Sequence, residues 1–517
     1  MKVHADTAPE TAPEEDGMTH GNPRILVVTP EITYLPQGMG NLADTMKAKA
    51  GGLADVSASL VAALFSLGAD VHVALPHYRR MFNSRVGQVI NEKLMMYKKK
   101  LPGTRIHLAE DRIFYYRDEV YSQYHGSAAG IALAFQREVM NNIIPSVQPD
   151  LIHCNDWMTG LIPAMGRRLD IRCLLTIHNV HTRCMLLREI EESGIDAAEF
   201  WQYLFYKYPP GNYEESRETN PVDFLASGVF ASHFINTVSP KFLDEIIEGM
   251  RDFVPDSIRR ELTAKRDAGC ATGILNAPDA RFNPEQDECL PTNFGPDTHA
   301  EGKRSNKAVL QQRAGLAPFP DAPLFFWPSR LDPYQKGPQL LADILYHVVS
   351  DYWDDKLQIV FVANGPYQQA FHDIVRFHDF HQRVAVCDFE ECLSHLAYAA
   401  ADFVLIPSLF EPCGLAQMIG MINGALPVAN DTGGLHDTIE PLDVAESRGS
   451  GFLFSVYDSR GLRWAVDRAM DFYHLPAQRK EQQIRRIMSD AAARFTHKQT
   501  ARQYVKIYED MLERPLV

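Results

Sequence analysis

Arg330 and Lys336 stand close together in the stretch Ser329-Arg330-Leu331-Asp332-Pro333-Tyr334-Gln335-Lys336-Gly337, directly after the apolar run Leu324 to Trp327. At the carboxyl end of a parallel strand such a pair can converge on one diphosphate, the arginine as a bidentate fork and the lysine as a point charge. A solvated surface loop is the competing reading of the same residues. A second stretch, Pro407-Ser408-Leu409-Phe410-Glu411-Pro412-Cys413-Gly414-Leu415, also follows an apolar run and is succeeded by Thr432-Gly433-Gly434-Leu435. Glu411 is a lone carboxylate held stiffly between Phe410 and Pro412, which suits hydroxyl recognition or stabilisation of positive charge at a reacting carbon. Helix N-capping by Glu411 is the weaker reading, because Ser, Thr, Asp and Asn are the preferred caps. A third stretch, Lys49-Ala50-Gly51-Gly52-Leu53-Ala54-Asp55-Val56, leads into Val56, Leu60, Leu64 and Leu67 at helical spacing. Two glycines at a helix start either leave N–H groups open to an anion, with Lys49 adding charge, or close loop-to-helix packing.

Such residues act together only if rigid elements hold them at one cleft, and the apolar runs supply those elements. Ile25 to Val28, Val71 to Leu75, Leu151 to Cys154, Leu174 to Ile177 and Phe234 to Val238 are followed by helix-compatible stretches. Leu324 to Trp327, Ile359 to Ala363, Val384 to Val386, Phe403 to Ile406 and Leu426 to Ala429 repeat the pattern in the second half. Short apolar runs between helices read as parallel strands buried on both faces. The pattern pauses between Cys270 and Leu316, where Pro, Asn, Asp and Gly are frequent, so the junction of two doubly wound α/β domains is expected there. Residues 1–22 have almost no large apolar side chains to offset the entropy of ordering and are expected to form a flexible tail. The two domains are expected at 23–270 and 271–500.

A chain of 517 residues, 45% hydrophobic and 23% charged, exceeds what one core usually organises. Its 51 Lys+Arg against 66 Asp+Glu give a formal net charge of −15, which argues against nucleic-acid or anionic-membrane partners. An anionic substrate therefore needs a local basic pocket. The eight cysteines show no CxxC pair and no disulfide-scaffold spacing, so free thiols in a reducing compartment are expected. No apolar run approaches the roughly 20 residues that span a bilayer, and no secretory leader stands at the start, so a cytoplasmic location is expected. His153 and His178 both end expected strands, where ligand binding and backbone satisfaction are alternative fates; His395 and His436 read as structural or surface residues.

In this order, and in two successive α/β halves, the three segments resemble the signatures of glycosyltransferase family 5, the glycogen and starch synthases. The resemblance runs from about Ile25 to about Tyr508 and takes in Glu31, Thr176-Ile177-His178-Asn179, Val238-Ser239-Pro240, Gly273-Ile274-Leu275-Asn276 and Gly451-Phe452. It implies the GT-B architecture: two facing Rossmann-like domains around a deep cleft, with a carboxyl-terminal helix at 501–517 crossing back to the first domain. The implied activity is transfer of glucose, with retention, from ADP-glucose or another NDP-glucose to the non-reducing end of an α-1,4-glucan, without metal or other cofactor. The implied roles put Arg330 and Lys336 on the leaving diphosphate, Glu411 and the Met158 carbonyl at the reacting carbon, and Lys49, Gly51 and Gly52 by the diphosphate or sugar. Asp55 would bind a sugar hydroxyl, Thr432, Gly433 and Gly434 the sugar or its phosphate, and Phe389 would stack on the base; His178 and Asn276 are further candidates.

The chain also departs from the family pattern. Asn155-Asp156-Trp157-Met158 stands where a His-Asp-Trp-His-like sequence is usual, so Met158 replaces a histidine and only a backbone carbonyl role can persist. Ala226 stands for a usual lysine, Thr182-Arg183-Cys184 for Tyr-Gln-Gly, and Phe389 for a tyrosine. A thioether suits an apolar donor group, which keeps open a related GT-B enzyme with another donor or a small acceptor, and a non-catalytic glucan-binding relative. The stretch Tyr34 to Lys47 is expected to be a mobile flap at the cleft mouth.

Overall fold

The computed structural model describes residues 22–40, 43, 47–49, 51–82, 94–95, 104–120 and 128–517; the tail expected at the amino terminus lies outside them except for Asn22. The strands are β1 (Arg24–Val28), β2 (Asp70–Pro76), β3 (Ile106–Ala109), β4 (Leu151–Asn155), β5 (Arg172–Ile177), β6 (Cys184–Met185), β7 (Val222–Asp223), β8 (Phe234–Thr237) and β9 (Ala271–Gly273) in the first half. The second half holds β10 (Leu324–Trp327), β11 (Gln358–Val362), β12 (Val384–Cys387), β13 (Phe403–Ile406), β14 (Leu426–Asn430) and β15 (Phe452–Phe454).

Among the described residues these strands form a seven-stranded sheet, ordered β3-β2-β1-β4-β5-β8-β9, a six-stranded sheet, ordered β12-β11-β10-β13-β14-β15, and a small antiparallel pair of β6 with β7. Every pairing in the two large sheets is parallel. Because β9 still pairs with β8, the chain leaves the first sheet only after Gly273. In the second domain alternate residues of β10 serve opposite faces: Phe325 and Trp327 join one hydrophobic cluster, Leu324 and Phe326 another. That two-sided burial is what a parallel sheet covered by helices requires.

The order of each sheet reverses once, between β1 and β4 and between β10 and β13, and at such a switch point the loops diverge and open a crevice at the carboxyl ends of the strands. The loop after β1 leads to Glu31, Lys49 and Gly51, and the loop after β4 to Asp156 and Met158. The loop after β10 carries Arg330 and Lys336, and the loop after β13 carries Glu411. Each chemically suggestive segment thus emerges at a crevice that the topology creates.

The last helix, His497–Leu512, packs in the core of the first domain through Ala501, Tyr504, Tyr508 and Met511. His153 is fully buried beneath it, with Nδ1 2.8 Å from the Tyr508 hydroxyl and Nε2 2.7 Å from Thr176 Oγ1. Burial, reinforced by nearby His178, pushes the His153 pKa down to about 3, so the ring is a neutral tie between helix and sheet and not a ligand at the cleft. The expected flap is also corrected in its described part. Ile32 bridges Ala48, the Leu35 amide donates to the Ala43 carbonyl, and Leu35, Met39 and Ala43 are buried in the core, which pins the loop.

The cysteines differ from the sequence expectation. Cys289 and Cys392, 103 residues apart, form a disulfide, while the other six are free. Neither local spacing nor composition marks this pair, because the fold alone brings the loop after β9 against the helix Glu391–Ala400. Beside the disulfide, His395 Nδ1 lies 2.7 Å from Asp287 Oδ2 and its ring stacks on Phe282. Among the described residues no helix is long and apolar enough to cross a membrane.

Candidate active site

At the carboxyl end of β10, Lys336 Nζ lies 2.6 Å from Glu411 Oε2, and both side chains are largely buried. The same carboxylate oxygen accepts from Ser408 Oγ at 3.0 Å, leaving Oε1 without a partner among the described residues. Lysine has three N–H donors, so Lys336 can keep Glu411 and still reach a ligand phosphate. Arg330 is exposed and its guanidinium has no ion pair among the described residues, so it is available as a fork for a second phosphate oxygen. Positive charge fixed in a sheltered cleft, where screening is weak, is the arrangement that stabilises a departing diphosphate.

The loop after β14 is packed backbone to backbone on this carboxylate's own chain segment. Gly434 N–H donates to the Glu411 carbonyl at 2.9 Å, and a Cβ at Gly434 would lie 1.8 Å from the Cys413 carbonyl oxygen. Gly433 has φ +44°, and a Cβ there would meet the Glu411 carbonyl oxygen at 2.1 Å. Only glycine allows that approach. Phe389, after β12, presents a ring 58% exposed while its amide donates to Asn364 Oδ1 at 2.9 Å, a fixed aromatic face open to a planar group.

On the first domain Lys49 Nζ pairs with Asp55 Oδ2 at 2.6 Å, and the amide of Gly51 donates to Glu31 Oε2 at 2.9 Å. That amide is therefore engaged by a buried carboxylate, contrary to the simple expectation of an open pair of N–H groups. Among the described residues, however, a Cβ at Gly51 or Gly52 would meet nothing within 4 Å. Asp55 also lies within electrostatic range of Arg281 and His497 from the second half of the chain, and its buried Oδ1 has no hydrogen-bond partner among the described residues. Asn276 lines a small cavity with Val56, Leu60, His497 and Tyr504, and among the described residues its Oδ1 likewise has no partner.

Met158 follows β4 in a single 3-10 turn, and its side chain is only 1% exposed within the first-domain core. The thioether therefore fills core space instead of lining the cleft, which removes the argument for an apolar donor group. His178 Nε2 lies 2.9 Å from Asn155 Oδ1, and burial pushes its pKa down to about 3, so the ring is neutral.

Two carboxylates escaped sequence reasoning. Asp156 is buried with φ +57°, a conformation that costs energy for a non-glycine residue, and it accepts the His178 amide at 2.7 Å. Burial raises its pKa to about 7 against the lowering effect of the His178 and Asn179 amides. It thereby fixes the His178-Asn179 corner. Its signal in sequence was only its place beside Trp157, which the usual motif already contains. The second is Glu245, in the helix Pro240–Ile247 of the first domain, whose carboxylate contacts Thr432 and Gly433 of the second. Nothing in local pattern separates it from an ordinary helix glutamate.

Two doubly wound parallel-sheet domains meeting along a seam, with Arg330, Lys336 and Glu411 in the loops at the strand ends of the second, define a glycosyltransferase of the GT-B architecture. Residues 24–254 match the starch synthase catalytic domain family, and residues 322–471 match the family described as glycosyl transferases group 1. The chain is 33% identical to the glycogen synthase of Moorella thermoacetica over 95% of its own length and 97% of that relative's. It is 30% identical to that of Geobacillus stearothermophilus over 90% of its length and 96% of that relative's. The solved catalytic domain of starch synthase IV from Arabidopsis thaliana, bound to ADP and acarbose, superimposes with a TM-score of 0.74 at 25% identity, covering 96% of this chain and 100% of that one. This chain belongs to the glycogen and starch synthase family, and it is a glucosyltransferase.

Proposed function

We propose that this protein transfers glucose from ADP-glucose to the non-reducing end of an α-1,4-glucan with retention of configuration, in the cytoplasm and without a metal ion. The observation that carries the proposal is the Lys336–Glu411 pair at 2.6 Å at the β10/β13 switch point, in the same loop region as Arg330, which has no ion pair among the described residues. In this reading Arg330 and Lys336 neutralise the nucleoside diphosphate as it leaves, the task a divalent cation performs elsewhere. The acceptor's 4-hydroxyl attacks from the face that the diphosphate vacates: the bond from the sugar's anomeric carbon to the diphosphate oxygen breaks, the new glycosidic bond forms, and the hydroxyl proton passes to the departing diphosphate. Glu411 and the Met158 carbonyl stabilise positive charge on the sugar, while Lys49, Asp55, Gly51, Gly52, Thr432, Gly433 and Gly434 surround donor sugar and phosphates and Phe389 covers the base. Kinship with glycogen synthases supports glucan as acceptor, and the ADP bound to the Arabidopsis starch synthase supports adenine as base.

The test is incorporation of labelled glucose into glycogen by purified protein, with ADP-glucose and UDP-glucose compared side by side in the presence of EDTA. Transfer from ADP-glucose that EDTA leaves unchanged supports all parts of the reading. Exclusive use of UDP-glucose overturns the choice of base, loss of rate in EDTA overturns metal independence, and no transfer from either donor overturns the function. A binding-only role has little support, because a protein that only holds glucan has no use for a diphosphate cradle.

A further inference from the structure

The seam between the domains holds a buried carboxylate of the first domain, Glu245. Glu245 is 1% exposed, and its Oε1 accepts the Gly433 amide at 2.8 Å and the Thr432 hydroxyl at 3.0 Å. Its Oε2 takes Arg251 Nε at 3.0 Å and Nη2 at 2.6 Å. Arg251 also belongs to the first domain, and it reaches across to the Leu409 carbonyl at 3.2 Å and to Thr432 Oγ1. A few residues away Ser239 Oγ and the Lys241 amide both donate to Asp437 Oδ2, at 2.6 and 2.9 Å, and Phe253 packs on Phe410 with ring centroids 4.4 Å apart. Of the second-domain residues in these contacts, Leu409 and Phe410 flank Glu411, and Thr432 and Gly433 belong to the loop packed on it.

We infer that Glu245 is a positioning residue for the transfer reaction: it sets the Thr432-Gly433 loop, and through it Glu411, in the working geometry only when the domains are docked. The inference rests on the donor-site reading above. A buried carboxylate needs a full set of donors, and here half of that set comes from each domain. When the domains separate, Glu245 keeps Arg251 but loses Thr432 and Gly433, and the loop loses the anion that fixes its first hydroxyl and amide. Because the Gly434 amide is bonded to the Glu411 carbonyl, displacement of this loop moves the backbone that carries the catalytic carboxylate. Glu245 touches neither sugar nor phosphate in this reading. Its effect passes through Thr432 and Gly433.

The experiment compares wild type, Glu245→Gln and Glu245→Asp as full chains for donor KM, acceptor KM and kcat, with calorimetric titration of ADP as an independent readout. Glu245→Gln keeps shape but loses the charge that satisfies Arg251 and the seam. Loss of charge-assisted hydrogen bonds of this kind predicts a fall of about 10- to 100-fold in donor kcat/KM. The fall should include a raised donor KM and weaker ADP binding, with acceptor KM unchanged and partial recovery in Glu245→Asp. A loss confined to kcat at unchanged donor KM and ADP affinity is what a reduced folded fraction gives, and it overturns the inference. So does a donor KM that falls, because Glu245 would then be an occupant that the donor must displace. If wild type binds ADP but transfers no glucose, the function reading fails, while ADP titration of the variants still decides the role of Glu245.

Discussion

Replacing Lys336 by alanine tests the centre of the mechanism. The perturbation removes one positive charge that sits 2.6 Å from Glu411 in a site where both side chains are largely buried. As the glycosidic bond to the diphosphate breaks, negative charge builds on the leaving oxygen, so the lysine interacts more strongly with the transition state than with bound donor. Removing a preorganised stabiliser of developing negative charge typically costs about 10²- to 10³-fold in kcat, or about 3 to 4 kcal/mol. Glu411 keeps its bond from Ser408 at 3.0 Å, so the local fold should survive. The assay is initial-rate glucose incorporation at saturating glucan, with glucan affinity measured separately by affinity electrophoresis. The expectation is kcat reduced by at least about 100-fold, a smaller rise in donor KM, and glucan affinity unchanged. A kcat within a few-fold of wild type would refute the assignment of Lys336 to the leaving group.

Asp156 gives a pH prediction: its carboxyl rises from 3.8 to about 7 on folding, so between those values the native state holds a proton that the unfolded chain has released. Stability contributed by this group is complete below about pH 4 and is lost as pH rises through about 7, by up to roughly 4 kcal/mol. Denaturant titrations from pH 4 to 8 should show that decline in wild type and a shallower one in Asp156→Asn; parallel profiles would contradict it. The disulfide predicts six titratable thiols in the unreduced, denatured chain, and closure of a loop of 103 residues is worth about 4 to 5 kcal/mol in the chain-entropy account. A thiol count of eight, or an unfolding transition of the second domain unmoved by Cys289→Ser, would count against it. Phe389→Ala should raise donor KM by about 5- to 10-fold through loss of one stacking contact while glucan KM stays put, and an unchanged donor KM would remove Phe389 from the base site.

Much of this protein is written locally in its sequence. The ten apolar runs that mark β1, β2, β4, β5, β8, β10, β11, β12, β13 and β14 are legible because strands buried on both faces must be apolar at consecutive positions. The short strands β3, β9 and β15 were not, since Ile-His-Leu-Ala, Ala-Thr-Gly and Phe-Leu-Phe are too brief or too polar to stand out from loops. Arg330, Lys336 and Glu411 stand out in the sequence because each follows a readable strand. The meeting of Lys336 with Glu411, by contrast, belongs to the tertiary structure: 75 residues separate them, and the β10–β13 neighbour relation closes that distance. The same holds for the residues the sequence did not reveal. Met158 is in the core and not in the cleft, Cys289 finds Cys392, Asp156 takes a strained corner, and Glu245 meets Thr432 across 187 positions. Composition and periodicity report what one segment needs from its surroundings, burial or water, and so they determine elements. Which surroundings it receives is set by strand order and domain docking, and those are properties of the whole chain.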